Sequence, residues 1–251
     1  MLGVDRFYVY DRDDRFGPVL KHWEAEGVVV RYKWPLFRPQ FGYSPLAYDQ
    51  NMAQDACLLR HRSANEWLLY ADPDEFLHFG DRKFQRPGGA IAYLEQAGRD
   101  PQVSEITLLN MVFGGTPTRL ARGEYAAVFS QFQLRSPRVE PSSREKFFAR
   151  AQQVEATWCH QVSRMRCGRK LTAPADLLRV NHYVNALAER GSGRANDTSA
   201  RIQDGSMSWA SPHVDARHFW PIEMWHSQKT AAMEKELQVS RLLGKEKGRA
   251  K

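Results

Sequence analysis

The chain has 251 residues, 42% of them hydrophobic and 26% charged, enough for a true core and unlike a disordered chain. Its net charge of +7 favours anionic partners, yet no Lys/Arg run interleaved with aromatics marks a nucleic-acid groove. No stretch approaches the ~18 apolar residues that a membrane span needs, and MLGVDRFYVYD lacks the basic start and apolar centre of a signal peptide.

The first element is RFYVYD (6–11), aromatic and β-branched, read as a strand ending on Asp11. GPVLKHWEAEG (17–27) places Val19, Leu20 and Trp23 at helical spacing and stops at Gly27. VVVRYKW (28–34) is a second strand, and RPQFGYSP (38–45) a loop. A helix is expected from Leu46 to about Arg62, with Tyr48, Met52, Ala56 and Leu59 on one side. EWLLYAD (66–72) is an apolar run without alternation, as in a strand covered on both faces. The order β-α-β-α-β predicts an α/β fold, a three-layer sandwich around a mostly parallel sheet.

GGAIAYLEQAG (88–98) reads as a helix, SEITLLN (104–110) as a strand and MVFGGTP (111–117) as a loop. Strands are expected in AAVFSQFQL, REKFFAR, VEATWCHQV and LLRVNHYVNA. Gly, Ser, Asn and Asp dominate 190–216, which reads as a long loop. A basic helix follows over 222–247. The expected organisation is therefore one α/β domain over 1–220 and a basic helix with a frayed tail over 221–251.

Cys57, Cys159 and Cys167 form no CxxC pair or zinc spacing, and a bridge between Cys159 and Cys167 stays open. Asn196-Asp197-Thr198 is a glycosylation sequon, meaningful only in a secretory lumen.

The chemistry-bearing feature is Asp72-Pro73-Asp74-Glu75, where the third predicted strand stops. In open α/β sheets ligands bind beyond the carboxyl ends of the strands. Two converging carboxylates repel one another and are costly to desolvate, and a divalent cation removes that cost. Oxygen ligands favour Mg²⁺, Mn²⁺ or Ca²⁺ over zinc and leave positions open for substrate phosphates. Pro73 stiffens the turn by fixing its own φ and keeping Asp72 out of the helical region. A solvated acidic turn is the plainer alternative.

Around this corner the chain resembles glycosyltransferase family 92, of the GT-A type. The likeness runs through GVDRFYVYD, NMAQDACLLRHRSANEW, DPDEF, NMVFGGTP, REKFFARAQQV and LRVNHYV, in that order. It implies transfer of a sugar, often galactose, from a nucleotide-sugar donor to a glycan acceptor, with inversion. It implies that Asp72 and Asp74 bind Mn²⁺ or Mg²⁺, with His182 as a further ligand and His160 as second choice. Glu75 is the candidate catalytic carboxylate, or else it orients the aspartates. Gly114, Gly115, Trp158 and Lys146 are the candidate substrate contacts, the lysine and Arg144 through phosphates. Trp67 reads as core, and Gly115 stands where the family commonly has serine. The resemblance also implies a strand–helix unit and a membrane anchor upstream of Met1, and a Golgi or secretory location. A non-catalytic sugar- or nucleotide-binding relative and a metal-dependent phosphohydrolase are the alternatives.

Overall fold

The computed structural model describes residues 2–12, 14, 16–34, 45–114, 134–136, 144–183 and 202–203, all within one compact unit. Gly115, the 190–216 loop apart from 202–203, the C-terminal helix and nearly all of AAVFSQFQL lie outside the described residues.

The chain opens with a βαβ unit. Strand β1 (Phe7–Asp11) pairs in parallel with β2 (Val29–Lys33), from Phe7 opposite Val29 to Asp11 opposite Lys33. Helix α1 (Gly17–Ala25) bridges them, with proline in its first turn, where the missing N–H costs nothing. It is followed by Gly27 at φ +72°, a left-handed stop that other residues adopt only with strain. Helix α2 (Pro45–His61) follows. Its inward residue is Leu58, fully buried, whereas Leu59, expected on the inner side, is 65% exposed. The apolar side is rotated by one residue because two adjacent leucines leave the sequence pattern ambiguous.

The central sheet has the order β11–β5–β8–β3. Its strands are β3 (Trp67–Tyr70), β5 (Val103–Leu108), β8 (Lys146–Arg150) and β11 (Arg169–Thr172). Every residue of β5 and β8 is buried. Alternation along β8 sends Phe148 into one apolar cluster with Phe79, Tyr93 and Ile106. Phe147 and Ala149 enter a second cluster with Leu58, Tyr70 and Val154. Each such large apolar side chain contributes roughly 1.5–3 kcal/mol by leaving water. Helix α3 (Gly89–Ala97) supplies Ala90 and Tyr93 to the first cluster, and α2 supplies Leu58 to the second.

A second sheet has the order β13–β7–β6–β12–β4. It comprises β4 (Glu75–Phe79), β6 (Asn110–Gly114), β7 (Leu134–Arg135), β12 (Leu178–Tyr183) and β13 (Ile202–Gln203). Strands β9 (Val154–Trp158) and β10 (Gln161–Met165) form an antiparallel hairpin.

The expected mostly parallel sheet is corrected to a mixed arrangement. Among the described residues three strand pairs are parallel, β1–β2, β5–β11 and β6–β12, and the other six are antiparallel. The parallel rule held for the consecutive strands β1 and β2, which helix α1 joins. It failed for β3, whose partner β8 arrives more than 70 residues later and runs the other way. Two further corrections concern local structure. The segment after Asn110 is a strand as far as Gly114, because β12 and β7 pair with it. VEATWCHQV is a hairpin that turns at Cys159-His160, not one strand. No described helix is long and apolar enough to cross a membrane.

Candidate functional site

Four elements meet at the acidic corner. The β3–β4 turn brings Asp72, Asp74 and Glu75, β8 brings Lys146, β12 brings His182, and α2 brings Gln50. The turn is closed by the Glu75 main-chain N–H, which donates to the Asp72 carbonyl oxygen at 3.1 Å. The pairing is returned, since the Asp72 N–H donates to Glu75 Oε2 at 2.7 Å. Register then does the placing. His182 lies opposite Glu75 in the β4–β12 ladder, and the Tyr183 N–H donates to the Asp74 carbonyl oxygen at 2.9 Å.

The three carboxylates have different surroundings. Asp72 is 26% exposed, and both its oxygens are held. Gln50 Nε2 donates to Oδ1 at 3.0 Å, and Lys146 Nζ donates to Oδ2 at 2.8 Å. Glu75 is 1% exposed and lies 3.2 Å from the same ammonium through Oε2. Asp74 is also 1% exposed, its Oδ2 facing His182 Nε2 at 3.4 Å. Asp72 is thus the member of the trio that solvent, or a ligand, reaches.

Lys146 was expected to meet phosphates. Its side chain is 1% exposed and sits between Asp72 and Glu75, so it serves as their internal counter-ion. Burial opposes its charge, but Glu75 and Asp72 outweigh that and move its pKa upward. Glu75 is shifted upward as well, chiefly by burial, which the Lys146 ammonium only partly offsets. Its carboxylate lies beneath Asp72 and grips the Asp72 main chain, the position of an orienting group.

A pH prediction follows from Glu75. Its folded-state pKa lies above the unfolded value of 4.5, so the folded state holds the proton more tightly. The stability this contributes is complete below pH 4.5 and is lost as pH rises through the raised pKa. Glu75→Gln removes that dependence. In urea denaturation across a pH series, the unfolding free energy of Glu75→Gln relative to the unsubstituted chain should climb as pH rises above about 4.5. A flat difference would show that Glu75 titrates alike in both states.

The tautomer of His182 follows from its neighbour. Asn110 Nδ2 donates to the Arg144 carbonyl oxygen at 3.1 Å, which fixes the amide's orientation, and the same nitrogen meets His182 Nδ1 at 3.1 Å. Nδ1 is therefore the acceptor, and the ring hydrogen sits on Nε2, facing Asp74. A metal ligand needs a lone pair there. Asp72 is held by Gln50 and Lys146, and the buried Asp74 carboxylate faces that ring N–H. The three residues expected to hold Mn²⁺ or Mg²⁺ do not fit that group in this arrangement. Among the described residues, no group of three His, Cys, Asp or Glu side chains is placed to hold a metal ion.

The β9–β10 turn adjoins the corner. Cys159 Sγ lies 2.9 Å from Asn51 Oδ1 and 3.6 Å from Gln50 Oε1, the same glutamine that holds Asp72. Trp158 is 50% exposed beside it. His160 follows, its Nδ1 3.1 Å from the Glu145 carbonyl oxygen. Trp67, by contrast, is half-buried with the Arg150 guanidinium 4.7 Å from its ring, as the core reading expected. Gly114 ends β6. Cys159 and Cys167 are both free thiols. Gln50, Asn51 and Asn110 were not singled out from sequence; their amides carry no spacing signal and gain meaning only from what they touch.

Comparison with known proteins gives a consistent picture. The family model described as glycosyltransferase family 92 matches residues 1–230. A glycosyltransferase family 92 protein of Oryza sativa subsp. japonica is 36% identical over 81 residues, 31% of this chain and 12% of the relative. Another, from Ricinus communis, is 27% identical over 192 residues, 72% of this chain and 30% of the relative. The chain thus spans less than a third of the length of these curated relatives.

Proposed function

The chain belongs to glycosyltransferase family 92, and on that premise we propose that it moves a sugar from a nucleotide-sugar donor to a glycan acceptor at the Asp72 corner. The observation that carries this reading is the placement of Asp72. It is a partly exposed carboxylate at the carboxyl end of β3, fixed from behind by Gln50 and Lys146. An ionised carboxylate only accepts hydrogen bonds, and sugars are dense in hydroxyl donors. Because its partners are preset, little ordering remains to be done when the substrate binds.

Glu75 and Lys146 act through Asp72 and touch no substrate. Trp158 offers a flat apolar face to a sugar ring next to the corner. Gly114, at the end of β6, would let backbone approach a sugar closely. No step is routed through a metal ion. Galactose as the donor sugar, inversion at the anomeric carbon and a secretory site of action belong to the same proposal, resting on the family resemblance.

The test is direct. The purified chain is incubated with UDP- and GDP-sugars and with oligosaccharide acceptors, and products are weighed by mass spectrometry. One added hexose on an acceptor, with release of nucleoside diphosphate, is the expected result. Nucleotide-sugar binding with no product would leave a binding protein in its place, and release of inorganic phosphate would point to a phosphohydrolase.

A further inference from the structure

Sugar transfer needs a group that takes the acceptor's proton, and the acidic corner supplies a poor candidate. Asp74 and Glu75 are closed off, and Asp72 already has each oxygen engaged, one by the Gln50 amide and one by the Lys146 ammonium.

The β9–β10 turn holds a better one. His160 Nδ1 lies 3.1 Å from the Glu145 carbonyl oxygen. A carbonyl only accepts, so Nδ1 carries the hydrogen and the neutral ring's lone pair is on Nε2. Among the described residues nothing is bonded to that nitrogen. His160 and His182 are therefore opposite tautomers. His182 turns its N–H toward Asp74, and His160 presents a lone pair.

The turn is held firmly. Asp55 Oδ1 accepts from the Thr157 N–H at 2.7 Å and from its hydroxyl at 2.9 Å, and Cys159 is tied to Asn51 at 2.9 Å. Exposed Trp158 sits between these anchors. The charged groups whose fields reach the imidazole are Lys146, Asp72 and Glu145, and Lys170 in turn pairs with Glu145 at 3.6 Å. Burial, more than any of these charges, keeps the ring's pKa below 6.5 and so holds it neutral at neutral pH.

Building on the sugar-transfer reading, we propose that His160 is the general base. Its Nε2 accepts the proton of the acceptor hydroxyl as that oxygen bonds to the anomeric carbon. The bond from that carbon to the donor phosphate oxygen breaks, and its electron pair leaves with the nucleoside diphosphate. Trp158, two residues earlier on the same turn, positions the acceptor ring.

Two measurements test this. In ¹⁵N-detected NMR of the full chain at pH 7, the His160 ring should show a protonated Nδ1 and an unprotonated Nε2. The reverse tautomer would overturn the proposal whatever the activity. In the transfer assay, His160→Gln keeps a donor for the Glu145 carbonyl but cannot take a proton. Its kcat should fall about 10²–10⁴-fold with donor KM nearly unchanged. The unsubstituted enzyme's rate should rise with pH through the lowered imidazole pKa and then level, and the variant should lose that limb. An unchanged kcat and pH profile in His160→Gln, where the unsubstituted chain transfers sugar, would refute the base and leave the transfer reading standing. Absence of transfer by the unsubstituted chain would instead sink the transfer reading and the base with it.

Discussion

Replacing Lys146 with methionine should lower the unfolding free energy by about 3–5 kcal/mol at neutral pH. The side chains are of similar length, so packing is largely kept and the charge is what disappears. Two carboxylates then lose their shared cation, at 2.8 Å from Asp72 and 3.2 Å from Glu75. Asp72 can still turn to solvent, whereas Glu75 cannot, so Glu75 dominates the cost. At low pH Glu75 accepts a proton and the cost shrinks. For a chain of this size the melting temperature should drop by about 6–20 °C. Adding Glu75→Gln to Lys146→Met removes the stranded charge and should restore most of the loss. Melts of the single and double variants decide it. A Lys146→Met protein that melts like the parent would show that the lysine is not the corner's counter-ion.

Asp72→Asn should cut kcat/KM for sugar transfer by about 10- to 150-fold, the value of one hydrogen bond to a charged acceptor. Asparagine has one oxygen for two donors, Gln50 Nε2 and Lys146 Nζ, so the variant also loses part of the ion pair, and its melt is recorded beside its kinetics to confirm that it is folded. The lost charge is felt by the substrate hydroxyl and by Lys146. Steady-state kinetics on the same acceptor measure it. Full activity in Asp72→Asn would move the substrate site away from this corner.

Much of the fold could be read from local pattern. The βαβ opening, α2, α3 and the apolar strands β3, β5 and β8 each announce themselves by periodicity or by Gly and Pro punctuation. What escaped is what depends on partners distant in sequence. Nothing in EFLHF after the DPD turn says that β12 will pair with it, or that β3 will pair with β8 instead of continuing a parallel sheet. Cys159-His160 lacks Gly, Pro, Asn and Asp, so the hairpin turn had no local signal.

The site divides in the same way. The acidic corner stood out in the sequence, and its residues do gather with His182 and Lys146. Their roles could not be read there, because each depends on a contact across the fold. Lys146 begins a strand and looks like a surface cation until burial turns it inward onto Asp72 and Glu75. The metal expectation rested on Asp72 and Asp74 sharing a cation; in the fold Lys146 lies against Asp72 and Glu75, and Asp74 faces His182. His182 and His160 look alike in sequence, and only the Arg144 and Glu145 carbonyls assign their protons differently.

The most direct measurement is transfer by the intact chain in the presence of a strong chelator, beside the same reaction with added Mn²⁺. A corner balanced by Lys146 predicts hexose on the acceptor at equal rates in both tubes. Product that forms only when the divalent ion is supplied would contradict it.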